Sequence, residues 1–554
     1  MKVSRVLGPF DRVTRRSRSL VGLSERKGNG LALLLARSGR TGDPRQMARK
    51  SVSLTLAAST AMVPTGICLG LLLWLPLACI CALPLLVYFY PDLALKDAAA
   101  SRKEGVEKEL PFFAVLVNVL GGAGLSLYSI MESEVGRGTF VAMEREALRL
   151  RRDVEIFGAN PIDALEALAT NHPSRRFADL LLGYCSKVRS GGDVTSYLSG
   201  ESGDLLRDLE GAWARYASRV GTVGTLMVTV FGVVPLLLLV VGFFSPAFAV
   251  AGLGVFALLA VPLLAVGLTV LTGRMQPAGD GVLRGKWALA ATAAAPGLVL
   301  GLWTGQVWLM AALPMFSFCL VYGLSVRTRR REMREEESAL PKFLKDMMEF
   351  KRLEYDLGRS LVTISAQSHY GRVFDSMLER LSGRLRSGVP LEDAEPEAKT
   401  VLGKIVFFVL GQMAYSGGGS VDTMFQLTHY TTRVTQMKED SRSEVRPYLL
   451  LSYITPLLLV IGVAFVGAVL SNLGTNLGGN GPVVGFAFAS LALRPELFQA
   501  ANLLIVVSAA ALGIVGAKMA DLTARNTLRA STNLAIAVAA TIAVPLLNLS
   551  TLLR

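Results

Sequence analysis

Six stretches of the chain, 51–91, 220–273, 287–326, 447–493, 497–517 and 530–553, contain no Asp, Glu, Lys or Arg, and they alternate with segments dense in charge. A helix needs about 20 apolar residues to cross the hydrocarbon layer. The first three stretches are each long enough for two crossings and the last three for one. The pattern therefore predicts nine spans, near 52–71, 73–90, 220–244, 247–272, 287–303, 307–326, 448–470, 498–517 and 533–552. The polar segments show helical rather than strand periodicity: Phe112, Leu116, Val119 and Leu120, and then Phe177, Leu180, Leu181 and Tyr184, recur at three and four. The fold class this predicts is an all-α polytopic membrane protein, with about nine transmembrane helices and two helical-bundle domains.

Hydrophobic residues make up 52% of the 554 and charged ones 18%, a balance that excludes an ordinary water-soluble enzyme. The net charge of +14 does not point to nucleic acid, because the charges fall in blocks between apolar runs. Lysine and arginine mark the cytoplasmic side of short loops. With the N-terminus inside, 55 of 57 basic residues fall on that side; only Arg494, Glu496 and Arg554 lie outside. The expected order is a basic cytoplasmic arm with a surface helix (1–50) and two spans (51–91), then a first cytoplasmic bundle (92–219) and four spans (220–326). A second bundle (327–446) and three spans with an outer Gly/Asn-rich loop (447–554) complete it, leaving the C-terminus outside. The arm carries thirteen basic and three acidic residues, suited to anionic lipid, and Leu31, Leu33, Leu34 and Leu35 suit a helix lying on the membrane.

Little catalytic chemistry is visible. The five cysteines show no paired spacing, the histidines His172, His369 and His429 are scattered, and the spans hold no ionisable group beyond cysteine and tyrosine. Ala278-Gly279-Asp280 lacks the first glycine of an aspartyl intramembrane protease motif, for which Asp521 is the plausible partner. Gly281 to Lys286 is one residue short of a phosphate loop. The chain is expected to be no enzyme and to hold no metal or cofactor.

The two polar segments repeat each other. Leu110-Pro111-Phe112-Phe113 in the first corresponds to Leu340-Pro341-Lys342-Phe343 in the second, and 47 residues separate Pro111 from Gly158 and Pro341 from Gly388. Asn160-Pro161-Ile162-Asp163-Ala164 and Pro390-Leu391-Glu392-Asp393-Ala394 follow, each reading as a small acidic helix. Ser190-Gly191-Gly192 and Ser416-Gly417-Gly418 come next, each leading to a span. Pro111 and Pro341 suit a first helical turn, and the paired glycines suit a helix break. This order resembles the type II secretion system F domain, found in the platform proteins of type II secretion systems, type IV pili, tight-adherence pili and the archaeal flagellum. The resemblance covers roughly 92–244 and 326–470. Two such domains with about nine spans are closest to the archaeal platform proteins, archaellum assembly protein J among them. The family's glycine-glutamate before the break is replaced here by Lys187-Val188-Arg189 and by Ala414-Tyr415, which leaves archaellum, adhesive pilus and secretion pseudopilus open.

The resemblance implies a platform that couples a cytoplasmic hexameric ATPase to pilin- or archaellin-like subunits. The other expected partners are the lipid bilayer and a second copy in a homodimer, with no nucleic acid. Two arginine groups are candidate ATPase-docking surfaces. Arg145, Arg149 and Arg152 fall on one helix face, with Arg151 beside it and Arg175 and Arg176 after a turn; Arg327, Arg329, Arg330, Arg331 and Arg334 leave the sixth span. Internal pairing of Arg149 with Asp153 and Arg151 with Glu155 competes with docking for the first group. Membrane anchoring competes for the second. Gly252, Gly254, Gly297 and Gly301 could receive the apolar helices of subunits or simply pack within the chain. The rival function is a transporter for an uncoupled solute, whose gene would not neighbour a secretion ATPase.

Overall fold

The computed structural model describes residues 18–40, 42–72, 83–244, 252–277, 285–394, 396–417, 420–477 and 495–546. Helix dominates and no strand occurs among the described residues, so the protein is all-α. It divides into two compact units, Met1–Leu205 and Leu206–Arg554.

In the first unit α1 (Arg18–Ser38), α2 (Pro44–Leu72) and α3 (Leu83–Gly122) pack together, and α4 (Leu127–Ser133), α5 (Val141–Glu155), α6 (Pro161–Thr170), α7 (Arg175–Ser190) and the start of α8 (Val194–Val228) complete a bundle. The surface helix expected in the basic arm is α1, but its Leu31 and Leu35 are buried against Ala48 and Leu95, and only Leu33 is strongly exposed. That face packs on protein rather than lying on lipid.

Pro111 does not begin a helix. It lies inside the 40-residue α3, and Pro341 lies inside the 46-residue α12 (Val307–Arg352). An interior proline removes one backbone hydrogen bond and costs about 3 kcal/mol. Burial decides the matter: Leu110, Phe112, Phe113, Leu116, Leu340, Phe343 and Leu344 all sit in the core around these prolines. The glycine breaks follow expectation at the backbone. Gly158, Gly191, Gly388 and Gly417 have φ of 66°, 66°, 90° and 102°. Gly191 ends α7, with the Gly192 N–H reaching the Lys187 carbonyl at 2.9 Å. Gly418 lies outside the described residues. After Gly388 the expected small helix is only a turn, Ala394 N–H to the Pro390 carbonyl at 3.0 Å, because Pro396 follows too closely for a helix to propagate.

In the second unit α8 continues through a π-turn (Thr229–Val233) into α9 (Val234–Phe244), and a second π-turn (Phe256–Ala260) leads into α10 (Val261–Met275). Each π-turn sits just ahead of a proline, Pro235 or Pro262, whose missing N–H unsettles the regular ladder. The remaining helices are α11 (Trp287–Thr304), α12, α13 (Leu357–Gln367), α14 (Arg372–Arg386), α15 (Val401–Tyr415), α16 (Val421–Leu477), α17 (Pro495–Asp521) and α18 (Leu528–Leu546). α13 to α15 lie between the long helices α12 and α16 and share a core of Phe343, Tyr370, Phe374 and Phe407, with ring centroids 5.4–6.2 Å apart.

Six helices among the described residues are long and apolar enough to cross a membrane, within Val194–Val241, Gly252–Met275, Trp287–Thr304, Val307–Arg352, Val421–Ala468 and Glu496–Asp521. These carry the third to eighth predicted spans. The first, 52–71, lies in α2, which is not among the six; parts of the second and ninth, at 73–82 and 547–552, lie outside the described residues, as does most of the Gly/Asn-rich loop. Leu237, Leu263 and Trp303 stand exposed, as lipid-facing side chains do, whereas 83% of the α17 span is buried. The chain is a multi-pass membrane protein.

Gly297 and Gly301 pack within the chain: a Cβ on Gly297 would lie 2.8 Å from the Leu313 carbonyl and one on Gly301 2.7 Å from the Met310 Cα, whereas Gly254 has open space. Gly301→Val is therefore expected to force α11 off α12 and destabilise the protein by about 1–3 kcal/mol. Thermal unfolding in detergent tests this, with Gly254→Ala staying near wild type; equal melting of the two variants would contradict the packing.

Candidate docking surfaces

The first bundle is organised around buried charge. Glu146 on α5 is 1% exposed and receives a two-pronged contact from Arg102 of α3, with Nε at 2.8 Å, and a further bond from Arg149. Arg102 also donates to the Arg37 carbonyl at 2.9 Å and Arg149 to the Gly39 carbonyl at 3.2 Å, so the pair ties down the carbonyl end of α1. Burial pushes the Glu146 carboxyl up, and the two guanidiniums overcome this and hold it below the usual carboxylate range. His172 lies beside them, its Nε2 3.9 Å from Glu146. Its Nδ1 accepts the Ser174 N–H at 3.0 Å, which leaves the proton of the neutral ring on Nε2. Burial is the main cause that lowers its pKa to about 4.

Glutamates on the long helices also close helix N-termini in both bundles. Glu109 accepts from Ala142 and Met143 N–H at 2.9 Å, supplying the cap that Phe140 cannot give α5. Glu336 accepts from Lys399 N–H at 2.9 Å and from Thr400 N–H at 3.1 Å where α15 begins. Sequence reasoning missed these roles; the available signal was an acidic residue shortly before each leucine-proline step.

The predicted arginines separate. Arg145 is exposed on α5. Arg149 turns inward to Glu146, not to Asp153 as its spacing suggested, so it leaves the predicted three-arginine face. Arg151 approaches Glu155 at 3.6 Å, and Arg152 pairs with Asp153 at 2.7 Å and lies over the Phe157 ring. Beyond them Ile156 and Phe157 are 73% and 70% exposed, an apolar tip held out by the positive φ of Gly158. The sequence offered a signal for it, an apolar pair standing between an amphipathic helix and a glycine. Arg175 and Arg176 occupy the first turn of α7, exposed, where the helix dipole disfavours cations.

In the second group Arg327 and Arg329 are exposed and Arg331 pairs with Glu335 at 3.1 Å. Arg330 turns in to Asp521 at 2.8 Å, and Arg327, Arg330, Arg331 and Arg334 border one cleft. Asp521 is thus engaged by Arg330 and by Arg529 of α18; residues 278–284 lie outside the described residues. Among the described residues no three His, Cys, Asp or Glu side chains are grouped to hold a metal.

A helical bundle that runs into a π-interrupted span is the architecture on which the family comparison falls. Residues 112–242 match the family model of the type II secretion system (T2SS), protein F. Over these residues the chain therefore carries a type II secretion system F domain. No curated protein and no solved structure matches it.

Proposed function

We propose that this protein is the membrane platform of a type IV filament machine, an archaellum or an archaeal pilus, and that it couples a cytoplasmic hexameric ATPase to insertion or rotation of pilin- or archaellin-like subunits. The observation that carries the reading is the F domain at 112–242, a bundle continuous with a span. Family members work with secretion ATPases and pilins in membrane assemblies. The second polar segment supports duplication: except for a counterpart of α6, the first copy's long helix, two short helices, glycine turn, further helix and long exit helix recur in order from α12 to α16. In this reading both bundles and the N-terminus are cytoplasmic, the C-terminus is outside, the platform works as a homodimer, and the chain performs no catalysis of its own.

The ATPase-facing surface of the first bundle is the exposed face of α5 and its tip, with Arg145 near the start of the helix and Arg151 and Arg152 beside the end that carries exposed Ile156 and Phe157. Exposed apolar side chains beside arginine suit a partner surface with an acidic rim. Arg175 adds charge placed against the α7 dipole, which an acidic partner would relieve. Arg149 is excluded because it supports the core. Converting Arg145, Arg151 and Arg152 together to Glu is expected to reduce the ATPase that co-purifies with the full-length platform at least tenfold, with the folded yield kept. Unchanged retention would remove this surface from the proposal.

A further inference from the structure

Where α12, α16, α17 and α18 converge, the structure holds a cleft of about 570 Å³. Its walls carry five guanidinium groups, Arg327, Arg330, Arg331 and Arg334 from α12 and Arg529 from α18, and one carboxylate, Asp521. Asp521 is 7% exposed and already engaged: Arg330 lies at 2.8 Å, Arg529 Nε at 2.9 Å, and the Asn526 amide donates at 2.6 Å. Arg529 also donates to the Tyr453 hydroxyl at 3.2 Å. Asp521 fixes two of the cations as a floor and Glu335 pairs with Arg331 at 3.1 Å, and the five arginines still leave the cleft with a positive excess. Arg334 registers the crowding, since partial burial and then the like charges of Arg442 and Arg529 lower its pKa. Such crowding of cations is unfavourable unless an anion enters.

The position of the cleft along the membrane helices narrows the choice of anion. Arg327 is the first charge after the uncharged run 287–326, Tyr453 stands within 447–493, and Asp521 and Arg529 bracket the turn between 497–517 and 530–553. All four elements thus reach the cleft where hydrocarbon gives way to water, the level at which lipid phosphates stand. Arg327, Arg330, Arg331 and Arg334 fall at i, i+3, i+4 and i+7 on one face of α12. Guanidinium groups match phosphate oxygens in planar, two-pronged contacts. The geometry points to a binding site for the phosphate of an anionic glycerophospholipid headgroup, taken from the leaflet on the side of the second bundle. The site is more than general attraction to a charged surface, because the Asp521 floor fixes where two of its cations stand. It is independent of the filament-platform reading and stands or falls without it.

The test uses the full-length protein in a neutral detergent, titrated with short-chain phosphatidylglycerol, with phosphatidylcholine and with inorganic phosphate, and follows the thermal midpoint. Phosphatidylglycerol is expected to raise the midpoint at concentrations where the other two do not. R327Q/R334Q spares the arginines that hold Asp521 and is expected to raise the half-saturating concentration at least tenfold. Arg380→Gln, at an exposed site in the second bundle, should leave it unchanged. Native mass spectrometry of wild type from nanodiscs of equal phosphatidylglycerol and phosphatidylcholine gives a readout that needs no variant, and selective retention of phosphatidylglycerol is expected. An equal response to phosphatidylcholine would overturn the proposal, as would unselective retention or an unshifted titration of the double variant. Protection by inorganic phosphate alone would replace it with a soluble-anion site.

Discussion

Glu146→Ala is expected to destabilise the first bundle by about 3–5 kcal/mol, enough to unfold it in a domain of ordinary stability. The side chain stands between two guanidiniums that are themselves largely buried, Arg102 at 9% and Arg149 at 26% exposure. Removing the carboxylate leaves both cations facing each other in a site with little water, and the carbonyls at the end of α1 lose donors whose orientation Glu146 fixes. Glu146→Gln keeps one accepting oxygen and the volume but no charge, so its loss should be smaller. Urea unfolding of the full chain in detergent, followed by proteolysis at bundle sites, measures the effect. A wild-type midpoint for Glu146→Ala would mean that the network does not hold the bundle.

Acid should loosen the same region through His172. Its folded pKa of about 4 lies below the ordinary histidine value of 6.5. The folded ring therefore stays neutral while the unfolded ring takes up a proton, and between these values the unfolded state binds more protons. The stability this provides is fully present above pH 6.5 and is lost as pH falls to about 4, amounting to about 3 kcal/mol at most. Burial is the chief cause; the Glu146 carboxylate opposes the shift, the Arg102 charge favours it, the Ser174 carbonyl opposes it and Arg149 favours it. The ring also packs edge-on to Phe177 at 4.7 Å, so Phe is the natural replacement. Wild type should show a midpoint that falls steadily from pH 6.5 to 4.5, and His172→Phe a flatter profile over that range. Parallel profiles would assign the acid sensitivity to other groups.

The network behind both expectations could not be read along the chain. Arg102 and Glu146 are 44 residues apart, and nothing local distinguishes Arg149, which turns inward, from Arg145 and Arg152 on the same helix. The periodicity of α5 showed that the arginines share a face but not that Glu146, one turn before Arg149 on the same helix, would be buried against Arg102 of α3 and draw Arg149 inward. The spans were legible because hydrocarbon tolerates so little charge that its absence is itself a signal. The glycine turns were legible because positive φ at Gly158, Gly191, Gly388 and Gly417 has few other suitable residues. The prolines misled for the opposite reason: a local preference worth a few kcal/mol yields when apolar side chains on every side of Pro111 and Pro341 are buried. The second acidic helix failed on a local fact, Pro396, that the similarity to the first copy outweighed.

That α12 passes through Pro341 without a break fixes the angular phase between its two ends. Over 46 residues it measures about 69 Å, and each residue turns it by about 100°. One residue inserted between Val326 and Leu340 would swing every side chain on one end away from its neighbours, whereas four would bring it nearly back into alignment. The number of residues separating the membrane from the bundle is therefore as constrained as their identity.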